Sequence, residues 1–152
     1  MKDQHITLRP VRPSDAAELA RLAGQLGYPT SPREMADRLE PLLTDPGHYL
    51  VVAAGELGLL GWVHVERRRT VETAERAELM GLVVDSSARR SGLGRSLVGA
   101  AEQWAVGAGL GEIAVRSNVV RSESHPFYQK AGYARAKTQH VYVKKLSPGE
   151  KS

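Results

Sequence analysis

The stretch from Ala77 to Arg95 constrains this chain more than any other. It opens as an apolar run of strand length, Ala77-Glu78-Leu79-Met80-Gly81-Leu82-Val83-Val84. It crosses a short polar turn, Asp85-Ser86-Ser87-Ala88-Arg89-Arg90-Ser91, and ends in Gly92-Leu93-Gly94-Arg95 at the head of an amphipathic segment. A strand, a glycine turn and a helix start in that order make an anion site. The unbonded N–H groups of a helix's first turn and its positive dipole end face the anion, and glycine lets it approach. Arg89, Arg90 and Arg95 bracket the turn and supply positive charge for phosphate. Two familiar phosphate loops are excluded. Leu97 stands where the Rossmann form needs its third glycine, and no Gly-Lys-Ser/Thr follows for a Walker loop.

The rest of the chain fits an α/β domain. At 152 residues it is read as one domain over residues 1–146, with 147–152 a disordered polar tail. His5 to Val11 alternates and reads as a first strand. Ser14 or Asp15 caps a helix, with Glu18 completing a box with Asp15, and Leu19, Leu22, Ala23 and Leu26 form its apolar face. Ser31-Pro32-Arg33-Glu34 starts a second helix, which Pro41 should kink or end near Glu40. Tyr49–Ala54 and Leu59–Glu66 read as an antiparallel pair about Gly55–Gly58, and 67–76 as a solvated connection. After the Ala77–Arg95 unit, Leu93, Leu97, Ala101, Trp104 and Ala108 share a helix face. Glu112–Arg116 is then a strand parallel to the one before. A short helix at Glu123–Lys130 and strands at Tyr133–Thr138 and Val141–Leu146 complete the reading.

Composition narrows the function. With no cysteine, disulfides, thiolate metal sites and a cysteine nucleophile are excluded. No His, Asp and Glu set has metal-ligand spacing, and no serine sits in a nucleophile elbow. The first residues lack an apolar signal-peptide core and no run is long enough for a membrane span, so the expectation is a cytoplasmic protein without membrane partners. The net charge of +4 suits a polyanionic ligand. The scattered basic residues and eight aromatics (five Tyr, two Trp, one Phe) argue against nucleic acid.

Two motifs carry a resemblance. Arg89-x-x-Gly92-x-Gly94, preceded by Leu82-Val83-Val84, matches the acetyl-CoA signature Gln/Arg-x-x-Gly-x-Gly/Ala of the GNAT superfamily of N-acetyltransferases. Downstream, Ser117-Asn118-x-x-Arg121-x-x-x-His125-x-Phe127-Tyr128-x-x-x-Gly132-Tyr133 resembles that family's Asn-x-x-Ala-x-x-Phe-Tyr-x-x-x-Gly-Phe/Tyr block, with Pro126 as a departure. The resemblance covers nearly the whole chain. It implies a mixed, mostly antiparallel sheet of about six to seven strands, flanked by about four helices and splayed between two parallel central strands. It also implies that the backbone of Leu82, Val83 and Val84 binds the pantetheine arm of acetyl-CoA. Arg89, Arg90, Ser91, Gly92, Leu93, Gly94 and Arg95 would hold the pyrophosphate, and Asn118 the pantetheine side.

For chemistry, the resemblance implies that Tyr128 protonates or hydrogen-bonds the departing CoA thiolate, against the alternative of core packing. Glu78 is the candidate base for an ammonium acceptor, or else a strand-end carboxylate in water or paired with Arg76. By parity it shares a face with Met80, Leu82 and Val84, which a bulge would invert. His125 and Tyr28 are candidate acceptor contacts, and His64 reads as an ordinary strand histidine. The activity implied is acetyl transfer to a primary amine by direct attack in a ternary complex. The acceptor stays open among a small amine, an aminoglycoside, a polyamine and a protein N-terminus or lysine. A homodimer is expected by family analogy alone. The rival is a non-catalytic acyl-CoA sensor.

Overall fold

The computed structural model describes residues 5–89, 91–116 and 124–147, with the backbone alone for Ser124 and His125. The chain divides into two compact units, Met1–Arg116 and Ser117–Ser152.

The first unit is a five-stranded sheet in the order β1-β2-β3-β4-β5. Its strands are β1 (Thr7–Pro10), β2 (His48–Ala54), β3 (Leu59–Arg68), β4 (Arg76–Val84) and β5 (Ile113–Val115). The first four pair antiparallel, and β5 joins β4 in parallel. The helices are α1 (Ala16–Gln25), α2 (Pro32–Leu43) and α3 (Leu93–Gly107), α3 being the crossover from β4 to β5. At the head of α2, Ser31 Oγ accepts from the Glu34 N–H at 3.0 Å, and Glu34 Oε1 accepts from the Ser31 N–H at 2.9 Å. Pro41 does not end the helix near Glu40. Proline removes one N–H, but its fixed φ is helical, and Leu42 and Leu43 beyond it still pack on the core. At the other helix start the chain makes a single 3-10 turn at Pro13–Asp15. There the Asp15 carboxylate takes the Arg12 N–H and both terminal nitrogens of Arg9.

Each sheet face has its own cover. Leu50, Val52 and Val83 pack with Leu19 and Leu22 of α1 and Leu39 of α2. The alternate residues face α3: Trp104 stacks on Tyr49, and Leu97 approaches Gly61. The connection after β3 is closed by ion pairs from Arg67 and Arg69 to Glu75.

In β4 the register slips. His64 opposes Gly81 and Val65 opposes Leu79, so Met80 is an extra residue without a cross-strand partner. The bulge overturns the parity expectation. Glu78, opposite Glu66, shares its face with Gly81 and Val83, on the side of α1 and α2.

In the second unit α4 spans Ser124–Lys130. Pro126 falls in its first turn, where a proline costs no hydrogen bond. The strands expected at Tyr133–Thr138 and Val141–Leu146 are not present among the described residues. Val141, Tyr142, Val143 and Leu146 are each at least 77% exposed. Alternation and β-branching fit a segment to a sheet but do not supply the ladder partner that makes it a strand.

Gly81 in β4 lies close under Trp62: a Cβ there would meet Trp62 Cζ3 at 2.8 Å. Gly81→Ala is therefore expected to cost about 1–3 kcal/mol by overpacking. Urea unfolding checks this, and a midpoint equal to wild type would show that the indole yields freely.

Candidate active site

The site grows from where β5 stops. Its ladder with β4 has three residue pairs, Ala77–Ile113, Glu78–Ala114 and Leu79–Val115. Among the described residues, β4 continues from Met80 to Val84 with β3 on one side only. Beyond the last pair, the β4 edge facing β5 carries backbone groups that β5 does not bond, the arrangement that lets an extended ligand add as a strand. Leu82 and Val84 are partly exposed and Val83 is buried.

The turn after β4 is tied down from α1. The Asp85 N–H donates to Leu60 O at 2.7 Å, and its carboxylate accepts from Arg21, Gln25 and Ser87, each at 2.9 Å. Gln25 Oε1 also accepts the Ser86 N–H at 3.0 Å. These bonds, the Ser87 hydroxyl first, hold the Asp85 carboxyl far below the usual carboxylate range. Sequence reasoning missed this anchor. The available signal was an Asp-Ser-Ser run directly after a strand, the pattern in which an aspartate bonds backbone two residues on.

The chain then passes Arg89, whose Nε donates to Val84 O at 3.3 Å, and Ser91, whose hydroxyl donates to Ala88 O. Gly92 takes φ +87°, left-handed backbone that disfavours a side chain, and caps α3. The first bond closed onto the cap is Ser96 N–H to Gly92 O at 3.1 Å. The amides of Leu93, Gly94 and Arg95 precede it in the first turn, where α-helical bonding leaves N–H groups open. Leu93 is buried as the helix's anchor, and Arg89 and Arg95 are exposed. Arg90 and Asn118 lie outside the described residues.

Glu78 sits on the last row but one of the β4–β5 ladder, with its side chain only 4% exposed. Its partners are not Arg76, which pairs with Glu112. Arg116, the residue after β5, places Nε 3.0 Å from Glu78 Oε2, and Arg68 places Nε 3.8 Å from Oε1. Arg68 is shared with Glu66 at 2.9 Å. The row His48–Glu66–Glu78 across three strands is thus a polar band on the face that packs against α1 and α2. Tyr28 follows α1 and is 57% exposed, its N–H donating to Ala23 O at 3.2 Å.

In the second unit, Tyr128 lies in α4 with edge-on contacts to Phe127 and Tyr133 at 5.0 and 5.8 Å between ring centroids. Burial pushes its phenol above the ordinary tyrosine range. His125 lies in the same helix, and its side chain is outside the described atoms.

An unpaired strand edge leading into a glycine-capped helix is the shape of a site for a long anionic ligand. Comparison with known proteins names the class. The model of the acetyltransferase (GNAT) family matches residues 16–133. An aminoglycoside N(6')-acetyltransferase type 1 of Klebsiella aerogenes is 30% identical over 152 residues, covering 95% of this chain and 99% of the relative. An enzyme of the same name from Stenotrophomonas maltophilia is 26% identical over 93% of this chain and 95% of its own. Among solved structures, an aminoglycoside antibiotic 6'-N-acetyltransferase of Acinetobacter baumannii superposes with a TM-score of 0.82 at 21% identity, covering 94% of this chain and 100% of that one. The chain belongs to the GNAT acetyltransferase family, and is an acyltransferase with acetyl-CoA as its acyl donor.

Proposed function

We propose that this protein acetylates a primary amine of an aminoglycoside-like amino sugar, by direct attack of the amine on acetyl-CoA in a ternary complex. The observation that carries the reading is the early end of the β4–β5 ladder at Leu79–Val115, with β4 running on toward the Gly92 cap of α3. In this reading the pantetheine amides bond to Leu82–Val84 as a missing strand would. The pyrophosphate lies at the turn from Arg89 to Arg95. Asn118 binds the pantetheine side, and Tyr28 and His125 line the acceptor. With no cysteine and no serine–base pair in the reading, attack is direct. Catalysis comes from positioning and from backbone donors at the thioester carbonyl.

The acceptor class is supported by the two aminoglycoside acetyltransferases that match along nearly their full length. The charge around Glu78 adds a condition. Arg116 already pairs with that carboxylate, so a cationic acceptor must displace it; Arg116 is 58% exposed and free to swing outward. Glu78 then takes the ammonium's first proton, directly or through a water, and Tyr128 supplies one to the departing thiolate. The raised phenol keeps Tyr128 protonated at neutral pH, as an acid must be. A homodimer is the proposed assembly, by family analogy.

Thiol release from acetyl-CoA against a panel of amines tests the reading. Neamine should outpace spermidine and a peptide N-terminus. Acetyl-CoA binding with no release for any amine would make the protein a sensor and end the proposal. Glu78→Gln is expected to lower kcat/KM about 100-fold at neutral pH and to remove the acid limb of the profile. An unchanged pH–rate profile would dispose of Glu78 as base. Tyr128→Phe should lower kcat by a similar factor of about 100 across the pH range. Turnover equal to wild type would leave Tyr128 a packing residue.

A further inference from the structure

The sheet face that carries Glu78 also carries a histidine pair outside both sequence motifs. His48 opens β2 opposite Glu66, and His64 lies in β3 opposite Gly81, beside the Met80 bulge where β4 leaves β5. The two rings meet diagonally, His48 Nδ1 standing 2.9 Å from His64 Nε2. The other nitrogen of His48, Nε2, lies 3.4 Å from Glu66 Oε1 and 3.7 Å from Asp45 Oδ2.

Two carboxylates beside one ring nitrogen draw the proton to it. Neutral His48 therefore carries its N–H on Nε2 and presents a lone pair at Nδ1. In that tautomer His64 donates its Nε2–H to the lone pair, which leaves His64 Nδ1 as an unprotonated base. Burial first, and then the neighbouring His48, lower the His64 pKa from 6.5 to about 4, while Glu66 opposes them. At neutral pH the ring is uncharged, in the form able to accept a proton.

Among the described residues, charged and titratable groups form a connected chain around the pair. They are Asp45 before β2, Glu66 and Arg68 on β3, Glu78 on β4 and Arg116 after β5. Helices α1 and α2 bring Leu19, Leu22 and Leu39 to this face. Asp45, 52% exposed, ends the chain of groups in water.

Amide formation releases a second proton that Glu78, already protonated by the first, cannot take. An ammonium acceptor loses two protons, one before attack and one from the positively charged nitrogen of the tetrahedral adduct. The thiolate takes up one, so one proton leaves the site in each turnover.

We propose that His64 accepts the second of these protons at Nδ1 and that His48 relays a proton outward to Glu66 or Asp45. The N–H bond of the adduct breaks and a bond to His64 Nδ1 forms. The Nε2 proton of His64 moves to His48 Nδ1, and the Nε2 proton of His48 passes to a carboxylate and then to water. Transfer of the proton held by Glu78 to the Tyr128 phenolate by way of water, and return of both rings to the starting tautomers, complete the cycle with one proton released. Because His64 is a weak base, it passes the proton on rather than keeping it. The proposal rests on the acetyl-transfer reading above.

The test uses the whole protein with acetyl-CoA and neamine. Histidine nitrogen NMR of the wild type should show His64 protonated on Nε2 and bare on Nδ1. His64→Gln should lower kcat about 100-fold at neutral pH, with KM for neamine within about twofold of wild type. Its kcat should keep climbing at high pH where the wild type levels off, and His48→Gln should share that profile. A proton on His64 Nδ1 overturns the relay whether or not the variants fold. Unchanged pH profiles in variants of an active enzyme overturn the relay and leave the acetyl-transfer reading standing. A wild type that releases no thiol with any amine overturns both.

Discussion

Among the described residues three parallel pairs join β4 to β5, and the proposed donor site depends on there being no fourth. A central strand bonded on one side only leaves main-chain donors and acceptors that require partners, and burying them unpaired costs on the order of 1–3 kcal/mol each. An extended ligand with amides of its own removes that cost. In the proposed reading the pantetheine arm of acetyl-CoA is such a ligand, and the same strand leads to the α3 cap proposed for its phosphates. In that reading one segment sets the direction of the donor site.

Charge organises what lies on either side. At the turn, Asp85 gathers Arg21, Gln25 and Ser87, which holds the end of β4 against α1 while Arg89 and Arg95 stay exposed to an anion. On the sheet face, Glu78 and Glu66 are matched by Arg68 and Arg116 and joined to the histidine pair. Such a band is costly in a core. It borders the place where β4 and β5 part, where the proposal puts proton transfer. The hydrophobic remainder of that face, from Leu50 to Val83, keeps the band rigid against α1 and α2.

Much of this was readable from residue order. The strand, Gly92 turn and α3 follow from local propensity and capping, as does the Ser31–Glu34 box. Other features needed register, which is non-local. The Met80 bulge reversed the face of Glu78, and nothing in Leu79-Met80-Gly81 announces it. His64 looked ordinary because its partner is 16 positions away; counting outward from the Gly55–Gly58 turn brings His48 beside it. Arg116, rather than Arg76, pairs with Glu78 because β5 runs parallel and ends there. The missing strands at Tyr133–Thr138 and Val141–Leu146 show the converse limit: a sequence suited to a strand has none until another edge receives it.

The central claim is that acetyl-CoA completes the sheet along the free part of β4. Amide hydrogen exchange with and without acetyl-CoA tests it residue by residue. Protection should rise at Met80–Val84 and at Ser91–Arg95 while β1 and β2 stay unchanged. Saturating acetyl-CoA binding with no gain in protection along Met80–Val84 would contradict the account.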